Sequence, residues 1–110
     1  MDTPNLNYIK ELSDGDKAFE VKVISVLKEE FPIELNCFLN NYEKKDYKKS
    51  AEDVHKLKHK ISILGLVNGY HVAVAFENEL KLESDSLFDS FMEIMHQIKL
   101  FLKNINPSKS

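Results

Sequence analysis

The chain of 110 residues has a net charge of −3, and 43% of its residues are hydrophobic and 30% charged. This length and composition provide one hydrophobic core, and we expect a single domain. The lysines before the central segment are interrupted by Asp46 and Tyr47, so no basic stretch indicates a nucleic-acid partner. No apolar run approaches the ~20 residues of a membrane span, and the N-terminus lacks a signal-peptide pattern, so we expect a cytoplasmic protein.

The only cysteine is Cys37, which excludes a disulfide within the chain and fits a reducing compartment. Its neighbours in sequence, Leu35, Phe38 and Leu39, are apolar. We therefore expect Cys37 to be a small residue near the core rather than a nucleophile.

A short first helix is predicted over residues 5–12, with Thr3 as its N-cap and Pro4 at its first position. It would bury Leu6, Ile9 and Leu12 and cover one end of the molecule, and the segment Ser13-Asp14-Gly15 would end it.

A long second helix is predicted to begin at Asp14 or Asp16. Pro32 falls inside it and should kink or divide the helix. We expect one kinked helix because the apolar stripe keeps its phase across Pro32, and two helices broken at Phe31 are the alternative. The stripe consists of Phe19, Val23, Leu27, Phe31, Leu35, Phe38 and Tyr42.

The central helix is predicted from Asp46, as N-cap, to about Leu64, with Gly65 as its C-terminal residue. His55 lies about 100° round the helix from Val54 and therefore at the edge of the apolar stripe. The stripe consists of Val54, Leu57, Ile61 and Leu64, and the residues on the same side as His55 are Lys58, His59 and Ser62.

Two further helices complete the pattern. Residues 66–69 are predicted to form a tight connection with Asn68 as a cap, and a helix follows over residues 70–82. Residues 72–76 resemble a strand in isolation, but no partner strand is evident, so helix is preferred.

The last helix should be capped by Ser86 and Asp89 in a relative of a capping box. It should bury an apolar stripe from Phe88 to Ile105 and stop at Pro107, with a frayed tail after it. The predicted fold is all-α, an antiparallel up-down-up-down four-helix bundle with a short N-terminal capping helix.

Few residues in the sequence indicate a chemical function. There is no Gly-rich loop, so no ATP or dinucleotide site is predicted. A neutral, exposed imidazole is a good nucleophile, so His55 can accept a phosphoryl group, with Lys58 stabilising its oxygens and Ser62 donating a hydrogen bond. From the spacing alone, a surface histidine and lysine on a charged helix is the alternative. His55 and His59 also form an HxxxH pair that can ligate a metal ion, although the lysines at 56, 58 and 60 would repel a dication, and we expect no metal site.

These residues resemble the signature of histidine-containing phosphotransfer (HPt) domains, which reads His-x-Leu-Lys-Gly with a second glycine further on. The matching residues are His55-Lys56-Leu57-Lys58, with Gly65 ten positions after the histidine. The segment from Tyr8 to Asp16, the long helix with Pro32, Asp46-Tyr47, Ala51 and Phe76-Glu77 are also similar to the family. The resemblance extends from about Leu6 to Leu102, which implies one HPt-like domain over residues 1–110 with its core at about 5–105.

The resemblance implies a phosphorelay carrier on a four-helix bundle. His55 would accept the phosphoryl group, Lys58 would stabilise it, Gly65 would be structural and Ser62 a hydrogen-bond donor. The partners implied are receiver domains of response regulators and a hybrid sensor histidine kinase, with no nucleic acid or membrane, and the protein would be a monomer. No cofactor is implied, because Mg²⁺ would belong to the receiver's aspartate pocket, and without an ATP site the chain would not be an enzyme by itself. The docking surface is predicted around His55 and part of the preceding long helix.

One residue departs from the family pattern, since His59 stands where the family usually has glycine. A bulky imidazole there would narrow the range of docking receivers, contact the phosphoryl group, compete as acceptor, or mark a domain that has lost transfer. Two alternative functions follow: a non-catalytic HPt-like adaptor that binds receivers, and a metal-binding helical bundle.

Overall fold

The computed structural model describes residues 2–105, which form five α-helices joined by short loops. Within this range there is no β-strand, which confirms the all-α class and the preference for helix over residues 72–76. No helix of the described range is both long enough and apolar enough to cross a membrane. The helices are α1 (Asn7–Ser13), α2 (Lys17–Glu43), α3 (Tyr47–Ile63), α4 (Val67–Lys81) and α5 (Phe88–Asn104).

Four of the helices pack in a closed order, α2 on α3, α3 on α4, α4 on α5 and α5 on α2, while α1 packs on α2. This is the arrangement of a helical bundle around one apolar core. Burial of a large apolar side chain contributes about 1.5–3 kcal/mol, so the core residues fix the rotation of each helix. The largest of them are the fully buried Phe31, Phe38, Phe76 and Phe91.

Both predicted aspartate caps are present. Asp16 Oδ1 accepts a hydrogen bond of 3.1 Å from the backbone N–H of Phe19 at the start of α2. Asp46 Oδ1 accepts one of 3.1 Å from the N–H of Lys49 at the start of α3. These bonds satisfy donors that a helix N-terminus otherwise leaves unpaired, so each helix begins where the sequence indicated.

Helix α2 runs undivided through Pro32, so the alternative of two helices broken at Phe31 is wrong. Two side-chain predictions on α2 also fail. Phe19, at the first turn of the stripe, is exposed, and Cys37 is exposed rather than near the core. Cys37 lies between the apolar residues Leu35 and Phe38 in sequence, but it is about 200° round the helix from Leu35 and therefore faces solvent.

Helix α1 begins at Asn7, two residues later than predicted, and Thr3 does not cap it. Asn5 stays outside the helix because its Oδ1 accepts the N–H of Asn7 at 3.0 Å and its own N–H donates to the Leu64 carbonyl at 2.9 Å. In the helix that begins at Asn7, Ile9 is buried as predicted. Leu12 is exposed, so the prediction that it is buried is wrong.

Helix α4 begins at Val67, three residues before the predicted start, so Asn68 is inside the helix and is not its cap. The N–H of Asn68 instead donates to Asp2 Oδ2 at 2.7 Å, which brings a carboxylate from the N-terminal segment to this helix start.

The predicted capping box of Ser86 and Asp89 is absent, because α5 has no cap bond from its own side chains. Glu79 of α4 takes that role: its Oε1 accepts the N–H of Leu87 at 2.8 Å and its Oε2 accepts the hydroxyl of Ser86. Although burial alone would raise it, these bonds hold the pKa of Glu79 below its ordinary value. Helix α5 ends at Asn104, and the predicted stop at Pro107 with its tail lies outside the described residues.

The loop between α4 and α5 is tied to the α2–α3 connection by an aromatic cluster. Asp85 Oδ2 accepts the hydroxyls of Tyr42 at 2.6 Å and Tyr47 at 2.9 Å. The ring of Tyr42 stacks on Phe88 with centroids 4.1 Å apart. The end of α2, the start of α3 and the start of α5 therefore meet at one end of the bundle.

Candidate functional site

The orientation of His55 is set by the buried face of α3. Val54, Leu57 and Ile61 are fully buried, so the helix cannot rotate without exposing them. His55, beside this stripe, keeps 55% of its side-chain surface exposed. The sequence-predicted position of this imidazole at the polar edge of the helix is therefore confirmed.

Glu77 of α4 faces His55 across the helix interface and is its hydrogen-bond partner. Glu77 Oε2 lies 3.1 Å from His55 Nδ1, and the glutamate side chain is only 9% exposed. It is held there because Ala73, Phe76 and Leu80, on the same face of α4, are buried in the core. The imidazole is thus tied at one nitrogen to a fixed acid while the ring remains open to solvent.

Lys58 converges on the same carboxylate. Its Nζ donates to Glu77 Oε1 at 2.8 Å, and its side chain is 14% exposed and lies 6.0 Å from the centroid of the Tyr70 ring. Lys81, one turn further along α4, lies 3.4 Å from Glu77 Oε2 and is exposed. The structure therefore brings His55 and Lys58 together, but through Glu77 rather than by direct contact.

The charges around Glu77 control its ionisation. Burial alone would raise the pKa of this carboxyl, but the hydrogen bond and charge of Lys58, followed by those of His55, outweigh burial and hold the pKa below its ordinary 4.5. Glu77 is therefore a carboxylate at neutral pH and can only accept hydrogen bonds.

The other predicted residues lie outside this contact. His59 is exposed, and its ring meets that of His55 edge to face with centroids 5.3 Å apart. Ser62 is exposed further along α3 and lines a separate small groove with Gly65 and Tyr70. Ser62 is therefore not part of the groove that contains His55.

Gly65 lies in the turn that follows α3. Its φ of +78° is in the left-handed region that favours glycine. A Cβ atom at this position would lie 2.6 Å from Asn5 Nδ2. Gly65 thus permits both the turn after α3 and the close passage of the N-terminal segment.

Within the part of the chain that the structure describes, no third ligand joins the HxxxH pair. Among residues 2–105 there is no group of three or more histidine, cysteine, aspartate or glutamate side chains arranged to hold a metal ion. His55 and His59 are in contact as rings, and the acid nearest to His55 is already paired with two lysines.

Sequence reasoning named Glu77 only as part of the family pattern and gave it no role. A signal was nevertheless present, because Glu77 follows Ala73 by four residues and precedes Leu80 by three, which places a carboxylate on the buried face of α4. A buried carboxylate requires a cationic partner, and Lys58 on the neighbouring helix meets that requirement.

Comparison of the chain with models of protein families, with curated proteins and with solved structures finds no match.

Proposed function

We propose that this protein is a histidine phosphocarrier, in which His55 receives a phosphoryl group from an aspartyl phosphate and passes it to another aspartate. The observation that carries the proposal is the pairing of an exposed imidazole with a fixed carboxylate, His55 Nδ1 with Glu77 Oε2 at 3.1 Å. The HPt-like run from His55 to Lys58, with Gly65 after it, supports the same function.

The carboxylate determines which ring nitrogen reacts. Glu77 can only accept, so in the neutral imidazole the proton is on Nδ1 and the lone pair is on Nε2. Within residues 2–105, Nε2 has no hydrogen-bond partner. Nε2, the nitrogen that is not bonded to Glu77, is therefore the nucleophile in this mechanism.

The transfer step is an in-line displacement. His55 Nε2 forms a bond to phosphorus while the bond between phosphorus and the aspartyl oxygen breaks, and the electron pair of that bond leaves with the carboxylate. The ring becomes positively charged as the P–N bond forms, with its proton still on Nδ1. Glu77 stabilises this charge, and the reverse displacement returns the phosphoryl group to a second aspartate.

Lys58 has a double role in this mechanism. It holds Glu77 in place through the 2.8 Å ion pair. It also follows His55 by three residues, about one helical turn, so its cation would contribute to stabilising the phosphoryl oxygens. His59 borders the same ring and would meet either the phosphoryl group or the docking partner. Any Mg²⁺ belongs to the partner's aspartate pocket.

We further propose the finer architecture of an antiparallel up-down-up-down bundle of α2 to α5, with α1 over one end. The contacts of Tyr42, Tyr47 and Phe88 at one end support alternating helix directions. The hydrogen bond between Asn5 and Leu64 supports a capping position for α1 at the other end. Such a carrier would be a cytoplasmic monomer serving receiver domains or a hybrid sensor kinase.

A second candidate is an adaptor that binds receiver domains without accepting phosphate. The ring of His59 against that of His55 favours it, since a bulky group beside the acceptor can hinder in-line approach. A metal-binding bundle is a third and weaker candidate, for which the described residues offer only His55 and His59.

One experiment separates these functions. Receiver domains with radiolabelled aspartyl phosphate are mixed with the wild type, His55→Gln and His59→Gln, and acid-labile, base-stable phosphate on the protein is measured. We expect label on the wild type and on His59→Gln, and none on His55→Gln. If a receiver binds the protein without labelling it, the adaptor function is supported and the phosphocarrier function fails. Label that persists in His55→Gln would overturn the assignment of the acceptor.

A further inference from the structure

The side chain of Lys58 is largely shielded from water. It is 14% exposed, whereas His55, one turn earlier on α3, is 55% exposed. One of the three N–H donors of its ammonium goes to Glu77 Oε1 at 2.8 Å, which leaves two for other partners. A charged group loses hydration in such a position, so further stabilising contacts are needed there.

The ring of Tyr70 provides a second contact for this cation. Lys58 Nζ lies over the ring, 6.0 Å from its centroid, a distance at which the negative face of an aromatic ring still attracts a cation. Tyr70 is partly buried and packs against the core, which fixes the position of its ring. The ammonium of Lys58 therefore lies between a carboxylate and an aromatic face, and both belong to α4.

The helical repeat of α4 places these two partners on one side. Tyr70 precedes Glu77 by seven residues, close to two full turns, so both side chains leave the same face of the helix. Tyr70 lies in the first turn of α4, where its N–H donates to the Leu66 carbonyl at 2.8 Å. Lys58 of α3 thus reaches a position that α4 defines from two successive parts of its length.

Lys81 offers a comparison within the same site. It approaches the carboxylate of Glu77 at 3.4 Å, yet its side chain is 59% exposed. Lys58, which has the aromatic contact, is closer to the carboxylate at 2.8 Å and far less exposed. Because a lysine is a point charge on a flexible four-carbon stem, the comparison indicates that the carboxylate alone does not fix its position.

We propose that Tyr70 is a positioning residue for this site, whose ring holds the ammonium of Lys58 against Glu77 and thereby keeps the carboxylate directed at His55. Tyr70 does not line the open groove of about 860 Å³ beside His55; it lines the smaller groove that contains Ser62. It therefore influences His55 through Lys58 rather than by contact. The effect of the ring on phosphotransfer rests on the phosphocarrier function, whereas its hold on Lys58 does not.

The variants are made in the full chain. Tyr70→Leu removes the ring but keeps an apolar side chain, and Tyr70→Phe removes the hydroxyl but keeps the ring. The matched control is His71→Leu, which removes the adjacent, exposed ring in the same turn of α4. Lys58→Met identifies the signals of Lys58 and is the background in which Tyr70→Leu is repeated.

The first readout follows the ammonium of Lys58 by NMR, since an ammonium that is paired and shielded from water exchanges its hydrogens slowly and gives a separate signal. Lys60 is the internal reference, because its ammonium is paired with two glutamates of α2 at 3.0 Å, across the other interface of α3. We expect the Lys58 signal to persist in Tyr70→Phe and His71→Leu and to be lost in Tyr70→Leu. The Lys60 signal should persist in every variant, which shows that each is folded.

The second readout is the rate at which His55 is labelled by phosphoramidate, a small phosphodonor. We expect Tyr70→Leu to lower this rate about two- to fivefold, the range that corresponds to a cation–π contact. Tyr70→Phe and the control should label at the wild-type rate. In the Lys58→Met background, Tyr70→Leu should cause no further loss, because the residue through which the ring acts is already absent.

A Lys58 signal that is the same in Tyr70→Leu and the wild type would overturn the proposal. Equal losses in Tyr70→Phe and Tyr70→Leu would do so too, because they would assign the effect to the hydroxyl, as would additive losses in the Lys58→Met background. If the wild type takes no label from any donor while Tyr70→Leu loses the Lys58 signal, the hold of the ring on Lys58 is supported and the phosphocarrier function fails.

Discussion

Glu77 Oε2 lies 3.1 Å from His55 Nδ1, although 22 residues separate the two in sequence. The contact joins α3 to α4 and pairs an exposed ring with an acid that is 9% exposed. Glu77 also accepts a hydrogen bond from Lys58, so one carboxylate contacts both the imidazole and the lysine. In the proposed mechanism this carboxylate orients the imidazole and keeps its proton on Nδ1.

The charge of Glu77 should control the reactivity of His55. In Glu77→Gln the amide has nearly the same shape but no charge, and it can donate to Nδ1 as well as accept, so the tautomer is no longer fixed. We expect the rate of His55 labelling by phosphoramidate to fall about 10- to 100-fold, corresponding to about 1.4–2.7 kcal/mol of transition-state stabilisation.

The matched control for that variant is Glu93→Gln, at an exposed position of α5. It should label at the wild-type rate. Equal labelling rates of Glu77→Gln and the wild type would contradict the role given to the acid, provided circular dichroism shows that both variants are folded.

Replacing Lys58 should affect stability as well as transfer. Lys58→Met keeps the aliphatic stem but leaves Oε1 of the nearly buried Glu77 without its 2.8 Å partner. We expect the free energy of unfolding to fall by about 1–3 kcal/mol in urea titrations. Lys58→Glu should destabilise more, because it places two carboxylates side by side, and it therefore cannot isolate a catalytic effect.

Lys56→Met serves as the control for Lys58, since Lys56 is adjacent in sequence but exposed. It should unfold at the wild-type urea concentration. Lys58→Arg should recover most of the lost stability, and failure of arginine to do so would argue against a simple ion pair.

The depressed pKa of Glu77 predicts an acid dependence of stability. A carboxyl with a lower pKa in the folded state than in the unfolded state stabilises the fold at pH values above the unfolded value, here about 4.5. That contribution is lost as the pH falls through the folded-state pKa. We expect the wild type to lose stability more steeply below pH 4.5 than Glu77→Gln does.

The measurement is a series of urea unfolding curves between about pH 3 and pH 7. Asp85 contributes in the same direction, because the hydrogen bonds from Tyr42 and Tyr47 lower its pKa, so Glu77→Gln should reduce the dependence without abolishing it. If the free energy of unfolding varies with pH in the same way for the wild type and Glu77→Gln, the pKa of Glu77 is not shifted in the folded state.

The aromatic cluster of Tyr42, Tyr47 and Phe88 predicts that the stability of the fold falls at alkaline pH. Burial and the hydrogen bond to Asp85 raise the pKa of the Tyr42 phenol well above its ordinary 10.0, and the hydrogen bond to Asp85 raises the pKa of Tyr47. A phenol whose pKa is raised in the folded state stabilises the fold below pH 10. This stabilising contribution is lost as the pH rises further. Absorbance titration of the wild type should therefore show late-ionising phenols, and Tyr42→Phe should remove one of them. A spectrum in which Tyr42→Phe removes only an early-ionising phenol would contradict the assignment.

Much of the helix order followed from the sequence because it depends on local periodicity. The stripe of Val54, Leu57 and Ile61 was sufficient to place His55 at the edge of α3. The same periodicity explains why the prediction for Cys37 is wrong: its apolar neighbours in sequence suggest burial, whereas its angle round α2 puts it on the outer face.

Contacts between helices were not accessible in this way. The cap of α5 is Glu79 of another helix, and the partner of His55 is Glu77, and no spacing within one helix encodes either pairing. The start of α1 depended on a bond between Asn5 and Leu64, which are far apart in the chain. These features depend on how the helices pack against one another. Glu77, a carboxylate on the buried face of α4, was the one residue whose position in the sequence indicated such a contact between helices.

Two glycines of the chain have similar backbone conformations. Gly65 and Gly15 have φ of +78° and +86°, so alanine at either position should destabilise by about 1–2 kcal/mol through its backbone alone. At Gly15 a Cβ atom meets nothing within 4 Å, whereas at Gly65 it would lie 2.6 Å from Asn5 Nδ2. Gly65→Ala should therefore be the more destabilising in thermal unfolding. Asn5→Ala should reduce the effect of Gly65→Ala to that of Gly15→Ala, because it removes the obstructing side chain, and strictly additive effects would contradict the contact.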